Sequence, residues 1–126
     1  MDEIKKIIDE LGIDALEANT KIAAIAVVSD SGNIVFQTKN WDLTKQTNVI
    51  INVIKGDRTF VLNDGDYSVV ESNTEGIIGT NNSGMGHIIF APFQGGVLLS
   101  YAMPQADPPR ALAFLKNYAM RLNGKL

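Results

Sequence analysis

A single histidine, no cysteine and one glycine-rich stretch are the raw material from which any chemistry in this chain would have to be built. A phosphate-cradling loop needs its glycines at set spacing and a helix whose N-terminus receives the phosphate. The stretch Gly79-Thr80-Asn81-Asn82-Ser83-Gly84-Met85-Gly86 matches neither spacing, lacks a following Lys-Ser/Thr and runs between two apolar segments. It reads as a strand-connecting turn. Ser83 lacks the flanking glycines of a nucleophile elbow, and no partnering base is identifiable. His87 could complete a zinc site only with carboxylates, since thiolates are absent. At the start of an apolar run it reads as the half-exposed polar end of a strand. The acidic pairs Asp2-Glu3, Asp9-Glu10 and Asp64/Asp66 are adjacent or in turns, the pattern of solvated surface rather than of two carboxylates facing across a cleft. The expectation is a protein that is not an enzyme and carries no cofactor or metal.

The bulk numbers agree with a single domain over residues 1–126, long enough to bury a real core. With 45% apolar and 20% charged residues, the composition excludes a disordered chain. No run approaches the ~18 uncharged apolar residues of a spanning helix. The N-terminus, Met1-Asp2-Glu3-Ile4-Lys5-Lys6, enters an amphipathic pattern directly and shows no signal-peptide core. A net charge of −3 gives no electrostatic reason to expect nucleic acid, and eleven basic residues without a cluster make phosphoinositide binding a weak reading. Zero cysteines fit a reducing, cytoplasmic setting.

The elements that must position any functional surface follow from periodicity. Asp2 can cap a helix with a stripe of Ile4, Ile7, Ile8 and Leu11, and Gly12 is its expected stop. Ile22 to Val28 is a nearly continuous Ala/Ile/Val run, and Asp30-Ser31-Gly32 turns it into Ile34-Val35-Phe36. So solid a run predicts a strand covered on both faces and central in its sheet. Trp41-Asp42-Leu43-Thr44 is expected to open a second helix, with Asp42 or Thr44 as N-cap, a buried face of Val49, Ile50, Val53 and Ile54, and Gly56 at its end. Asn63-Asp64-Gly65 joins Thr59–Leu62 to Tyr67–Val70 as a hairpin. Gly76 to Gly79, His87 to Ala91 and Val97 to Ala102 are further strands, the last two joined at Gln94-Gly95-Gly96. Asp107 caps a terminal helix with Pro108 at its first position. Ala111, Leu112, Leu115, Tyr118, Ala119 and Leu122 share its apolar face, and Asn123-Gly124 closes it. Ala113, Asn117 and Met120 point the other way, with Arg110, Lys116 and Arg121 around them.

Several of these segments together resemble the profilin family. They are Ile22 to Val28 before Asp30-Ser31-Gly32, Asn40-Trp41, Asp66-Tyr67-Ser68-Val69-Val70, Ile77 through Gly86, Val97-Leu98-Leu99-Ser100-Tyr101, and Pro104 before the terminal helix. The resemblance covers nearly the whole chain. It implies an α/β (α+β) fold, a central antiparallel sheet of about seven strands. The N- and C-terminal helices would lie on one face and a further helix on the other. It also implies binding to an actin monomer and regulation of actin polymerisation. Carried over by position, the actin-binding face comprises Ser68, Val69 and Glu71; Gly79, Asn81, Asn82, Gly84 and Gly86; Ala106 and Asp107; and Ala113, Lys116 and Asn117.

The chain departs from familiar eukaryotic profilins in two ways. They place basic side chains where this sequence has Glu71, Gly79, Asn81 and Asn82. They also hold proline-rich ligands on aromatics of both terminal helices and a neighbouring strand. Here the first helix offers only Ile4, Ile7, Ile8 and Leu11, Val35 takes the strand aromatic's place, and Tyr118 falls near the core. The usual proline-rich recognition, which needs an aromatic-lined groove, is therefore not expected. This combination resembles the divergent profilins of actin-bearing archaea. The alternative is a roadblock-type module that regulates or scaffolds small GTPases, with the same early element order but fewer strands in mid-chain and an obligate dimer rather than a monomer. A cavity-bearing ligand sensor would need a polar group inside the core, and none stands out.

Overall fold

Among the described residues, three helices and seven strands follow one another in the order α1 (Asp2–Glu17), β1 (Ile22–Ser29), β2 (Ile34–Gln37), α2 (Thr47–Ile54), β3 (Thr59–Leu62), β4 (Gly65–Asn73), β5 (Gly76–Asn81), β6 (His87–Phe93), β7 (Gly96–Ala102) and α3 (Pro108–Leu122). The computed structural model describes residues 2–39 and 41–126. Asn40 and the side chain of Asp2 lie outside the described residues, and with them the Asp2 cap and half of the Asn40-Trp41 pair. All strands join one antiparallel sheet in the order β2-β1-β7-β6-β5-β4-β3. Five strands between α2 and α3 match the profilin expectation and not the shorter mid-chain of the roadblock alternative.

The alternation of side chains across the pleat splits the core into two layers. On one face Ile25, Val27, Ile78, Ile89, Ala91 and Leu98 pack against α1 and α3. On the other, Ala26, Val28, Ile77, Ile88, Phe90 and Leu99 pack with Ile50 and Val53 of α2. The run Ile25 to Val28 is covered on both sides as its composition requires, but β1 is second from the edge, with β2 outside it, rather than central. Asn63 and Asp64 adopt φ of 48° and 67°, the two consecutive left-handed residues that a two-residue type I′ hairpin demands.

Two helix boundaries differ from expectation. Gly12 does not stop α1: the apolar stripe continues to Ala15, itself buried, and one glycine costs a helix only about 1 kcal/mol relative to alanine. The helix runs to Glu17 and is closed by Asn19, with φ of 54°, where the Asn19 N–H donates to the Leu16 carbonyl (3.2 Å) and the Thr20 N–H to the Ala15 carbonyl (3.3 Å). This is the Schellman pattern with asparagine in place of glycine. The second helix begins at Thr47, and neither Asp42 nor Thr44 caps it. Asp42 Oδ1 instead accepts the Thr44 N–H at 3.0 Å, a local turn that competes with helix formation. Trp41 and Leu43 are buried on either side, which holds this segment in a loop. The terminal helix matches its sequence signals: Asp107 Oδ1 accepts the Arg110 N–H, and Pro108 opens the first turn.

Side chains tie α1 to α3 and to the residues that follow it. Arg121 meets Glu10 at 2.7 Å, Lys125 meets Glu3 at 3.0 Å, and the Tyr118 hydroxyl donates to the Asp14 carboxylate. The two ion pairs are exposed, and solvent screening leaves them little weight in stability. Tyr118 is buried, and that burial, followed by the hydrogen bond and charge of Asp14, pushes its phenol up to about 12. A phenol whose pKa is higher folded than unfolded stabilises fully below the unfolded value near 10 and loses that contribution as pH rises toward 12. Urea titrations are therefore expected to give a stability that falls between pH 10 and 12, and falls less in Tyr118→Phe. A residual loss is expected from Tyr67, also raised by burial. An identical alkaline loss in the variant would contradict the assignment.

Candidate partner-binding surface

The surface beside α3 is set by strand phase. Ser68 pairs with Thr80, Thr80 with His87, and His87 with Ala102, whose side chain lies in the α1/α3 layer, so this row points to the helix side of the sheet. Ser68 Oγ donates to Asn82 Oδ1 at 2.8 Å, and Thr80 Oγ1 lies 2.9 Å from His87 Nδ1. Pairing then jumps from Val69↔Gly79 to Glu71↔Ile78, a bulge that leaves Val70 as the extra residue. Because Ile78 lies in the α1/α3 layer, Glu71 is turned to that same side. On α3 the outward stripe is Ala113, Asn117 and Met120, all exposed, flanked by half-buried Lys116, which forms an ion pair with Glu75 of the β4–β5 turn.

The residues assigned to this face by position thus separate into two groups. Ser68, Glu71, Asn82, Gly84, Ala113, Lys116 and Asn117 are exposed or half-exposed. The others are engaged in the scaffold, although Val69 and Ala106 are half-buried and Asp107 is exposed. Val69 packs into the α2-side core, and Ala106 packs under α3. A Cβ at Gly79 would come within 2.5 Å of the Phe60 ring, so that glycine makes room for an aromatic on the opposite face. Asn81 is buried, and its Oδ1 accepts the N–H groups of Ser83 (2.8 Å) and Met85 (3.3 Å), closing the glycine-rich turn on itself. Gly86, at φ of 112°, leaves no space for a Cβ against the Ala102 carbonyl, 2.6 Å away. Asp107 is occupied as the α3 cap.

One exposed residue was missed by positional reasoning: Val70, 63% exposed. Its signal was the adjacent Val69-Val70 pair, which breaks the period of two and marks a bulge. Together with Met120, at 60%, it gives the face an apolar component, while its lysine is paired with Glu75. Among the described residues no three His, Cys, Asp or Glu side chains converge as a metal site. Nor is any helix of the described chain long and apolar enough to cross a membrane.

A seven-stranded antiparallel sheet between paired terminal helices and a short helix on the other face defines the profilin class of fold. Sequence relatives make the assignment specific. The chain is 31% identical to Loki profilin-2 of Lokiarchaeum sp. over 132 residues, an alignment covering 96% of each protein. It is 33% identical to Odin profilin of Odinarchaeota yellowstonii over 104 residues, covering 81% of this chain and 86% of the relative. The chain belongs to the profilin family, and these relatives are archaeal. In three dimensions it matches a chain of the LokiProfilin2/rabbit actin complex with a TM-score of 0.88 and 30% identity, covering 100% of this chain and 99% of that one. Acanthamoeba castellanii profilin IB matches at a TM-score of 0.71 and 15% identity over 86% and 90% of the two chains, a likeness of fold alone. No protein-family model matches the sequence.

Proposed function

We propose that this profilin binds an actin monomer through the face made by β4, β5, the glycine-rich turn and the outward side of α3, and thereby regulates actin polymerisation. The observation that carries the reading is the match, over the whole chain at a TM-score of 0.88, to a profilin found in complex with actin. Ser68, Glu71, Asn82, Gly84, Ala113, Lys116 and Asn117 form the contact surface, to which Val70 and Met120 add apolar area. Val69, Gly79, Asn81, Gly86 and Ala106 set its shape from beneath, and exposed Asp107 caps α3 beside it. The protein works by occupancy rather than catalysis: it covers one end of the monomer, blocks addition there and leaves the other end free. Its setting is the cytoplasm, alongside the cytoskeleton.

With Lys116 paired to Glu75, attraction at this face rests less on positive charge than in profilins that line it with basic residues. Proline-rich ligands lack their usual groove, because α1 presents isoleucine and leucine inward and Tyr118 is buried with its hydroxyl on Asp14. An assembly assay tests the reading. Added at equimolar concentration to actin from a matching source, the protein is expected to slow polymerisation. Lys116→Glu, which sets two carboxylates against each other at the Glu75 position, is expected to weaken the effect roughly tenfold. Unchanged assembly with the wild-type protein would overturn the proposal.

A further inference from the structure

At one end of the sheet, on the α2 side, the loop before α2, the β3–β4 turn and the β5–β6 turn enclose an open cleft of about 680 Å³, within the usual range for ligand sites. Three of its walls are aromatic: Trp41, Tyr67 and Tyr101. Three carboxylate residues, Asp42, Asp64 and Asp66, also line it, and no Lys, Arg or His does. The walls are fixed. Trp41 and Tyr67 are anchored in the core, Tyr67 stacks on Phe60 at 5.1 Å, and the Tyr101 hydroxyl donates to the Met85 carbonyl at 2.6 Å.

This composition selects a ligand class. Aromatic faces and carboxylates both attract cations, the first through the ring quadrupole and the second through charge. The three carboxylates do not converge on one point, for among the described residues no three acidic or histidine side chains could hold a metal ion. The hydrogen bonds that Asp42 accepts from the Thr44 N–H and hydroxyl hold its carboxyl below the usual range, so it is ionised at neutral pH. A cation suited to dispersed charges and flat apolar walls is an extended organic one. We propose that the cleft binds a peptide segment carrying arginine or lysine, with the cationic head among the carboxylates and the methylene stem along the aromatic walls. The cleft shares the glycine-rich turn (Asn81, Ser83 and Met85) with the proposed actin-binding face but not the outward side of α3, and its test uses no actin.

Trp41 is the only tryptophan in the chain, so its fluorescence reports on the cleft directly, with calorimetry as an independent readout. The probe is an acetylated, amidated Gly-Arg-Gly-Arg-Gly peptide, compared with its citrulline counterpart and with spermidine. Saturable binding of the arginine peptide is expected, weakened roughly threefold by either Asp42→Asn or Asp64→Asn and about tenfold by the pair. Asparagine keeps the oxygen that accepts the Thr44 N–H and tolerates the φ of 67° at position 64, so both variants are expected to melt like the wild type. No saturation at millimolar peptide by either readout would overturn the proposal, as would equal affinity for the citrulline peptide or for the double variant. Binding of spermidine without binding of the peptide would reject a peptide as the occupant.

Discussion

Replacing Phe90 by alanine is expected to lower the unfolding free energy by about 3–5 kcal/mol, a large fraction of what a domain of this size possesses. Phe90 is fully buried at the centre of β6 and meets the Phe60 ring edge-on, with centroids 5.6 Å apart. Phe60 in turn stacks on Tyr67 and fills the space that Gly79 leaves empty. The ring therefore supports three strands at once, and its removal leaves a cavity inside the α2-side layer. Denaturant titration is the measurement, with an unchanged slope expected because the folded state stays intact. A loss below about 1 kcal/mol would show that the α2-side layer repacks, contrary to its close aromatic interlock.

Ala113→Arg is expected to weaken the complex with monomeric actin at least a hundredfold, the loss of about 2.7 kcal/mol that marks an obstructed interface centre. Ala113 is exposed and touches no core cluster, so the same variant is expected to keep the wild-type melting temperature. Gly79→Val makes the contrasting case. A Cβ there strikes Phe60 on the opposite face of the sheet, so stability is expected to fall by about 1–3 kcal/mol. If Ala113→Arg bound with wild-type affinity, the outward side of α3 would not be the contact face.

The sequence made the element order readable because its signals are local. Asn63-Asp64-Gly65 demanded a tight hairpin, Asp107-Pro108 a capped helix, and the Ala/Ile/Val run a strand covered on both faces. What escaped depends on residues distant in the chain. Gly79 reads as turn chemistry until Phe60, nineteen positions earlier, is seen to need its missing side chain. Asn81 reads as a surface group until its carbonyl oxygen is found to close the turn that follows. The start of α2 is decided by the burial of Trp41 and Leu43, which outweighs the capping propensity of Asp42 and Thr44. For the same reason the proposed surface was only half legible: family position suggests a patch, but strand phase decides which of its residues face outward.

The most direct test of the central claim is the mass of the species formed with monomeric actin, read by light scattering during size-exclusion chromatography. A complex of one actin with one copy of this 13.7 kDa chain is expected, and a monomer when the chain is run alone. A stable homodimer that does not co-elute with actin would contradict it.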